Sequence, residues 1–337
     1  SRPPPAAHSC PPRGATSGPD APHAGRHPRP AVIIGAGYVG LEMAEGFRAR
    51  GMRVIQLQRG PEVLSTLDPE LAATVHAELG EHGVEVHTNT LVKAVEKRDA
   101  GLVVHADHLG RTVAHSADLV LAVVGVRPNT SLLEEAGARL GAGRAVLVDE
   151  QMRTVLPHVF AAGDGVVTHH RLLGVTYLPL GTTAHKQGRI AGENAVGGQA
   201  RFAGSVGTQV VKVFDVVAAR TGLREHEAVA AGFSPATTQI TADDHKRYYP
   251  GAQPIDIRIT GDTESGLLLG AQLVGRLGSE TAKRVDTYAT ALFAGLSVEQ
   301  ISDLDLSYTP PLGSPWDAVQ VATQAWSRAQ NSIGAHA

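Results

Sequence analysis

Apolar residues in this chain come first as short continuous runs and then at helical spacing, and the alternation of the two predicts a layered α/β unit. Ala31-Val32-Ile33-Ile34 is an apolar stretch of strand length. It leads straight into Gly35-Ala36-Gly37-Tyr38-Val39-Gly40, after which Leu41, Ala44 and Phe47 share one face of a helix running from Val39 to about Arg50. Val54-Ile55-Gln56-Leu57 reads as a second buried strand. Asp68-Pro69-Glu70 then sets a capping acid and a first-turn proline ahead of Leu71, Val75 and Leu79, and Gly83 ends that helix. Val84-Glu85-Val86 is a third strand, completing the βαβαβ unit of a doubly wound parallel sheet.

From Leu91 to Val124 the pattern shortens. Alternating stretches, Leu102-Val103-Val104 and Leu119-Val120-Leu121 among them, predict a β-meander laid against the sheet, and Gly125-Val126-Arg127-Pro128-Asn129 stops the chain sharply. Val159-Phe160-Ala161-Ala162-Gly163-Asp164 reads as a short buried strand ending in a glycine and an acid, a candidate second nucleotide contact. Leu180 to about Val196 is a predicted helix, with Gly181 and Gly188 permitting close approach near its start. Beyond Gly204 the texture changes. Val206 to Val213, Ile255 to Ile259 and Gly266 to Val274 read as strands and Glu280 to Phe293 as an amphipathic helix, which predicts a separate α+β domain. No internal repeat is apparent.

The 337 residues suffice for two or three domains. With 30 basic and 33 acidic residues the net charge is -3, which gives no electrostatic basis for binding nucleic acid or an anionic membrane. No apolar run reaches the ~20 residues of a membrane span, so a cytoplasmic protein is expected. Cys10, the single cysteine, excludes an internal disulfide and a CxxC redox pair. Residues 1–30 are rich in proline and carry almost no large apolar side chain, so a disordered tail is expected there. That stretch lacks the apolar core of a secretory signal and starts at Ser1, from which a missing or replaced natural beginning is expected.

The glycines between the first strand and helix carry the chemistry. Gly35 permits a tight turn, Gly37 lets the main chain approach a phosphate, and Gly40 lets the helix pack against the strand. The helix then presents unpaired N–H groups and its positive dipole end to a pyrophosphate, so a dinucleotide site is predicted. His169-His170 has no third ligand at metal spacing, and no metal is expected.

Four motifs extend this reading: Gly35-Ala36-Gly37-Tyr38-Val39-Gly40-Leu41-Glu42, Val124-Gly125-Val126-Arg127-Pro128-Asn129, Ala161-Ala162-Gly163-Asp164 and Ser307-Tyr308-Thr309-Pro310-Pro311. With Lys212-Val213-Phe214 and Thr221-Gly222-Leu223, they give a chain that resembles, from about Ala31 to Trp326, the pyridine nucleotide–disulfide oxidoreductase family, most closely its coenzyme A-disulfide reductase and NADH oxidase branch. The resemblance implies a Rossmann-like NAD(P)-binding domain at 31–128, the C-terminal part of an FAD-binding domain at 129–203, and an α+β dimerisation domain at 204–330 that completes the partner's active site in a homodimer. It implies an FAD-dependent enzyme that moves hydride from NAD(P)H to flavin and then electrons to a small-molecule disulfide such as that of coenzyme A. Two alternatives stay open: an NAD(P)H oxidase that reduces oxygen, and a truncated, non-catalytic fragment that binds nucleotide and dimerises. The third arises because the family's first glycine-rich FAD motif and its redox cysteine find no match in residues 1–30.

The same resemblance implies the site residues. Gly35, Gly37, Val39, Gly40 and Gly125 contact the pyridine nucleotide, and Tyr38 covers the nicotinamide pocket. Glu42 matches the acid that pairs with a lysine beside the flavin. Gln58 stands where NAD-specific members carry an acid, about twenty residues after the glycines. Arg59 matches one of two arginines that hold the 2′-phosphate of NADPH, and Ser65 stands at the other, so NADPH or tolerance of both coenzymes is favoured. Gly163 and Asp164 match flavin pyrophosphate and ribityl contacts, and Pro179, Leu180 and Gly181 the helix entry under the isoalloxazine, with His185 and Lys186 one turn on. Tyr308 matches a tyrosine brought across the dimer interface toward the reactive sulfur. Tyr248 or Tyr249 matches a second one, the choice being open.

Overall fold

The computed structural model describes residues 31–99 and 101–334. The expectations for residues 1–30, Cys10 included, lie outside the described residues.

Four parallel strands form the first sheet: β1 (Ala31–Ile34), β2 (Val54–Leu57), β3 (Val84–His87) and, counting through the meander strands below, β7 (Leu119–Ala122), in the order β3-β2-β1-β7. Helices α1 (Tyr38–Ala49) and α2 (Pro69–Glu81) cross over between the first three. Ile33, Val54 and Val84 turn to the helices and meet Leu41, Ala44, Leu71, Val75 and Leu79. Val32, Ile55 and Leu57 turn the other way, onto Val104 and Ala117 of the antiparallel sheet β4 (Thr90–Arg98), β5 (Gly101–His108) and β6 (Arg111–Ala117). Both faces of the parallel sheet are covered, which is why its strands read as unbroken apolar runs.

The segment Leu119-Val120-Leu121 is not part of the meander. It pairs with β1 in parallel, Ala31 opposite Leu119 and Ile34 opposite Ala122, and satisfies the main-chain groups that β1 would otherwise leave at an open edge. Asp68 also departs from expectation. It occupies the capping position of α2 without a side-chain cap bond. Its carboxylate instead accepts from Gln272 Nε2 at 2.7 Å and pairs with Arg258 Nε at 2.9 Å, spending the acid on a link to the C-terminal sheet.

After a short helix α3 (Ser131–Glu135) the chain forms a small core around Ala145, Val146, Val148, Val166, Val167, Ile190 and Phe202, with the hairpin β8 (Thr168–His170) and β9 (Gly174–Thr176) and the helix α4 (Gly181–Ala195). Val159 to Asp164 is not the buried strand expected. It is irregular and half-buried, with Asp164 exposed and one bridge between Arg153 and Phe160, because among the described residues no extended partner runs alongside it.

Beyond Gly204 lies a five-stranded antiparallel sheet, β10 (Gln209–Val213), β11 (Val216–Gly222), β12 (Pro235–Asp243), β13 (Pro254–Asp262) and β14 (Leu268–Arg276), in the order β10-β11-β14-β13-β12. β10 begins three residues later than expected. β11 and β12 were not read from the sequence: Arg220 interrupts the apolar run of one, and threonines dominate the other. A short helix α5 (Glu225–Ala230) follows β11, and α6 (Thr281–Ala294), α7 (Val298–Ser302) and α8 (Ala318–Gly334) pack on the sheet around buried Tyr288 and Trp326. The opposite side places Val211, Val213, Val216, Ala218 and Val274 in the same core as α1 and α2. The α+β unit is therefore joined to the glycine-turn unit by a continuous apolar interior.

Candidate active site

The glycine turn is built by close packing on two sides and left open on the third. Gly35 has φ 106°, and a Cβ there would collide with the Val123 carbonyl; at Gly40 it would collide with the Gly35 carbonyl. At Gly37, the N-cap of α1, a Cβ would meet nothing within 4 Å. No side chain caps that helix end, so its first amides face open space of the kind a pyrophosphate fills. The residues present fit a dinucleotide. Gly125 has φ 106° and stands in open space on the far side of β7, between exposed Val124 and Val126.

Gln58 extends from the end of β2 and clasps the turn: its Oε1 accepts from Ala36 N at 3.1 Å and its Nε2 donates to the Glu62 carbonyl at 3.2 Å. Gln56 Nε2 donates to the Gly35 carbonyl at 3.1 Å. Two uncharged side chains thus hold the turn from β2 and its end. Arg59 beside them is exposed and has no ion pair among the described residues. Ser65 is exposed and its carbonyl accepts from Arg224 Nη1 at 2.9 Å.

Tyr38, the residue after Gly37, lines a cleft of about 700 Å³ whose other walls are Leu180 and Gly181 at the start of α4, Phe202, and Phe293 of α6. The structure thereby brings together the end of the glycine turn and the α4 entry, 142 residues apart in sequence from Tyr38 to Leu180. Thr66 Oγ1 donates to the Tyr38 hydroxyl at 3.1 Å. Burial raises the Tyr38 phenol above its ordinary value, and the Thr66 bond and the Arg220 and Arg224 charges partly oppose that. Lys186 also lines the cleft; His185 is exposed and does not. Neither Gly181 nor Gly188 is approached by any atom of this chain within 4 Å of a Cβ, so the close approach read there is not made within the described residues.

Gly163 takes φ 84°, and its amide donates to Gln187 Oε1 at 3.0 Å. Gln187 is buried on α4 and its Nε2 donates to the Val167 carbonyl at 3.2 Å, so this one side chain fixes the turn that presents Asp164. Sequence reasoning missed Gln187, since a lone glutamine on a helix gives no signal before its distant partner is known. Asp164 is exposed, with its carbonyl accepting from the Tyr177 hydroxyl at 3.1 Å, and Pro179 is half-buried ahead of the α4 N-cap Leu180.

The three tyrosines stand elsewhere, on the outside of the C-terminal unit. The neighbouring Tyr248 hydroxyl pushes the Tyr308 phenol above its ordinary value. Tyr249 instead has its amide tied to the Lys246 carbonyl at 2.8 Å. Tyr248 is the member of the pair whose hydroxyl acts on Tyr308. Glu42 is exposed on α1, outside the cleft and without an ion pair among the described residues.

His169 and His170 diverge. His169 Nε2 lies 3.0 Å from the Val148 carbonyl, while His170 is buried and its Nδ1 accepts from the Leu172 and Leu173 amides, burial holding it below the ordinary histidine value. Glu78, His82 and Asp215 come within reach of a common point, but Glu78 is already neutralised by Arg276 Nη1 at 2.6 Å. No helix of the described residues is long and apolar enough to cross a membrane.

A glycine-turn parallel sheet, a cleft shared with a second helix entry and an appended antiparallel sheet define an α/β nucleotide-binding architecture with an α+β unit attached. The family model for pyridine nucleotide-disulphide oxidoreductases matches residues 17–188, and that for the dimerisation domain of the same enzymes matches residues 208–318. The chain belongs to this family. It is 36% identical over 293 residues to the NAD(P)H sulfur oxidoreductase (CoA-dependent) of Pyrococcus furiosus, and 27% identical over 296 residues to the coenzyme A disulfide reductase of Staphylococcus aureus. In each case the match covers 86% of this chain and 64% of the relative, so the chain spans less than two thirds of the curated relatives' length. A solved structure of an NAD-dependent persulfide reductase from A. fulgidus superposes with a TM-score of 0.86 at 36% identity, covering 90% of this chain and 56% of that one.

Proposed function

We infer that this chain is part of an NAD(P)H-dependent flavin oxidoreductase of the disulfide-reductase type, acting in the cytoplasm on a small-molecule disulfide or persulfide. The observation that carries the reading is the single cleft walled by both Tyr38 and the Leu180-Gly181 helix entry. Gly37 would hold the pyrophosphate of a nicotinamide coenzyme and the α4 entry a flavin, with Tyr38 and Leu180 bordering the same cleft. The reading is supported by the relatives that carry reductase names and by the family match itself.

In this reading residues 31–128 bind NAD(P)H, 129–203 hold one side of FAD, and 204–330 form a homodimer interface. A bound flavin supplies hydride acceptance and onward electron transfer. The chain's own residues orient and bind. The open amides at Gly37 would hold the nicotinamide coenzyme's pyrophosphate, the α4 N-terminus would favour negative charge on a flavin, and Gly163 with Asp164 would hold its ribityl chain. Arg59, unopposed by an acid at Gln58, favours the 2′-phosphate of NADPH. Tyr308 with Tyr248 offers a hydroxyl pair able to donate a proton to a departing thiolate, with Glu42 an exposed acid for the flavin side.

The test is a fluorescence titration of the purified chain with NADPH and NADH, followed by reconstitution with FAD and anaerobic assay of coenzyme A disulfide consumption. Saturable NADPH binding that Arg59→Glu weakens about tenfold, with NADH little changed, is expected from loss of one charge-assisted phosphate contact. Absence of any saturable signal from folded protein overturns the nucleotide site, and failure to take up FAD overturns the redox assignment.

A further inference from the structure

Three histidines from three strands meet where the parallel sheet borders the meander. His87 closes β3, His108 closes β5 and His115 lies in β6. His115 pairs with Val104, which is buried against Val32 and Ile55 of the parallel sheet, and His108 follows Val104 at a spacing that keeps it on the same face. The His87 ring stands 5.0 Å from that of His115 and 6.3 Å from that of His108 between centroids. None of the three lines the cleft at Tyr38.

The surrounding hydrogen bonds fix which ring nitrogens keep a lone pair. Glu85 Oε1 lies 2.8 Å from His87 Nε2, and the other Glu85 oxygen accepts from Arg53 Nη2 at 2.8 Å. A carboxylate can only accept, so His87 Nε2 carries the proton and Nδ1 is bare. Thr90 donates its one hydroxyl proton to the Thr88 carbonyl at 2.9 Å, and therefore accepts from His108 Nδ1 at 2.9 Å. His108 Nε2 is then the bare nitrogen. His115 has no hydrogen-bond partner among the described residues.

Imidazoles oriented in this way suit a borderline divalent cation. A histidine that ligates a metal characteristically donates its second N–H to an oxygen behind it, which sets the ring and raises its basicity. Glu85 does this for His87 and Thr90 for His108. Two imidazoles on one tetrahedral ion, each with a Zn–N distance of about 2.1 Å, stand about 5 Å apart between centroids. His87 and His115 already have that separation. His108 has to approach by about 1 Å, within reach of a small side-chain rotation.

We propose that His87, His108 and His115 form a binding site for a divalent transition-metal ion of the zinc type, ligated by Nδ1 of His87 and Nε2 of His108, with water at the fourth position. The ion ties the end of β3 to β5 and β6. It sits behind Gln58, whose amide donates to the His87 carbonyl at 2.8 Å. The site is independent of the nucleotide reading.

The experiment is a calorimetric titration of the full chain with Zn2+, run beside His87→Ala, His115→Ala and Glu85→Gln, each checked for folding by circular dichroism. The parent is expected to bind an equivalent of Zn2+ that His87→Ala and His115→Ala lose. Glu85→Gln keeps all three rings and weakens binding about tenfold, as expected for a group that orients a ligand. His82→Ala, which breaks the Glu78–His82–Asp215 group instead, leaves the affinity unchanged. Where an alanine variant does not fold, His115→Gln takes its place. Nitrogen NMR gives a second readout, since Zn2+ shifts Nδ1 of His87 and Nε2 of His108, the atoms left bare by the hydrogen bonds.

Undiminished Zn2+ binding in the His87 and His115 variants, loss of binding in His82→Ala, or no binding by the parent overturns the proposal. So does ligation through Nε2 of His87, which breaks the Glu85 bond. The nucleotide reading stands or falls separately.

Discussion

The buried carboxylate of Glu78 lies 2.6 Å from the guanidinium of Arg276, joining α2 of the nucleotide unit to β14 of the C-terminal sheet. Its other oxygen accepts from the Asp215 amide at 2.8 Å and lies 3.1 Å from His82 Nε2, and His82 in turn stacks on Phe214 at 4.0 Å between centroids. Glu45 of α1 does the same for the neighbouring residue, accepting from the Phe214 amide at 2.9 Å and from Lys212 Nζ at 2.5 Å. The tight β10–β11 turn thus has two successive amides captured by two helices.

Glu78→Gln is expected to destabilise the chain by about 2–3 kcal/mol, because a charged acceptor for a guanidinium and an amide is replaced by a neutral one in a site 2% exposed. Arg276 is 45% exposed and can regain water, which keeps the loss below that of a fully buried pair. Urea unfolding measures it. A loss under about 0.5 kcal/mol, the range of ordinary surface substitutions, contradicts the interlock.

Gly37→Ala and Gly40→Ala separate binding from folding. At Gly37 a methyl meets nothing of the protein and φ is −82°, so stability falls by no more than about 1 kcal/mol while pyrophosphate affinity drops at least tenfold. At Gly40 the methyl meets the Gly35 carbonyl and costs about 1–3 kcal/mol. Thermal melts and NADPH titrations of the two variants check the contrast, and matching profiles would refute it.

The clamp around Glu227 sets an acid limit. Burial raises its carboxyl, yet the hydrogen bonds from Arg220 and Arg224 outweigh that and hold it at about 2 against an ordinary 4.5. A depressed folded value means the unfolded chain takes up the proton first on acidification. The stabilisation is present in full above pH 4.5 and disappears as the pH falls through about 2. Glu227→Gln is expected to flatten the loss of urea resistance between pH 5 and pH 3; an unchanged slope speaks against the clamp.

Tyr248→Phe removes the neighbouring hydroxyl that raises Tyr308, so the Tyr308 phenol is expected to move down toward its ordinary value of 10. Tyr249→Phe leaves it in place. Titration of the tyrosine ring signals by NMR distinguishes the two, and equal effects would dissolve the pairing.

Much of the site was legible because its demands are local. Gly35, Gly37 and Gly40 show their purpose in their spacing alone, since a tight turn, an open approach and a close helix each forbid a side chain within six residues of chain. The parallel strands were legible for a related reason: burial on both faces removes polar residues from the run. The misreadings have the opposite origin. Leu119-Val120-Leu121 has the same pattern whether it joins the meander or the parallel sheet, and only the free edge of β1 decides. Asp68 carries the signature of a helix cap, and a distant Gln272 and Arg258 claim its carboxylate first.

The order of apolar runs, the glycine turn and the four motifs were sufficient by themselves to establish an α/β nucleotide unit, a following α+β unit and membership of a redox family, because strand burial, turn geometry and phosphate access depend on neighbours in sequence. Tertiary structure alone decided that Tyr38 and Leu180 face one cleft, that Gln187 fixes the Gly163 turn, that Tyr248 is the tyrosine whose hydroxyl acts on Tyr308, and that the two units share one core. Those relations are contacts between residues far apart in the chain. No local pattern encodes them, since they exist only once the sheets have packed and brought each side chain to the one partner within reach.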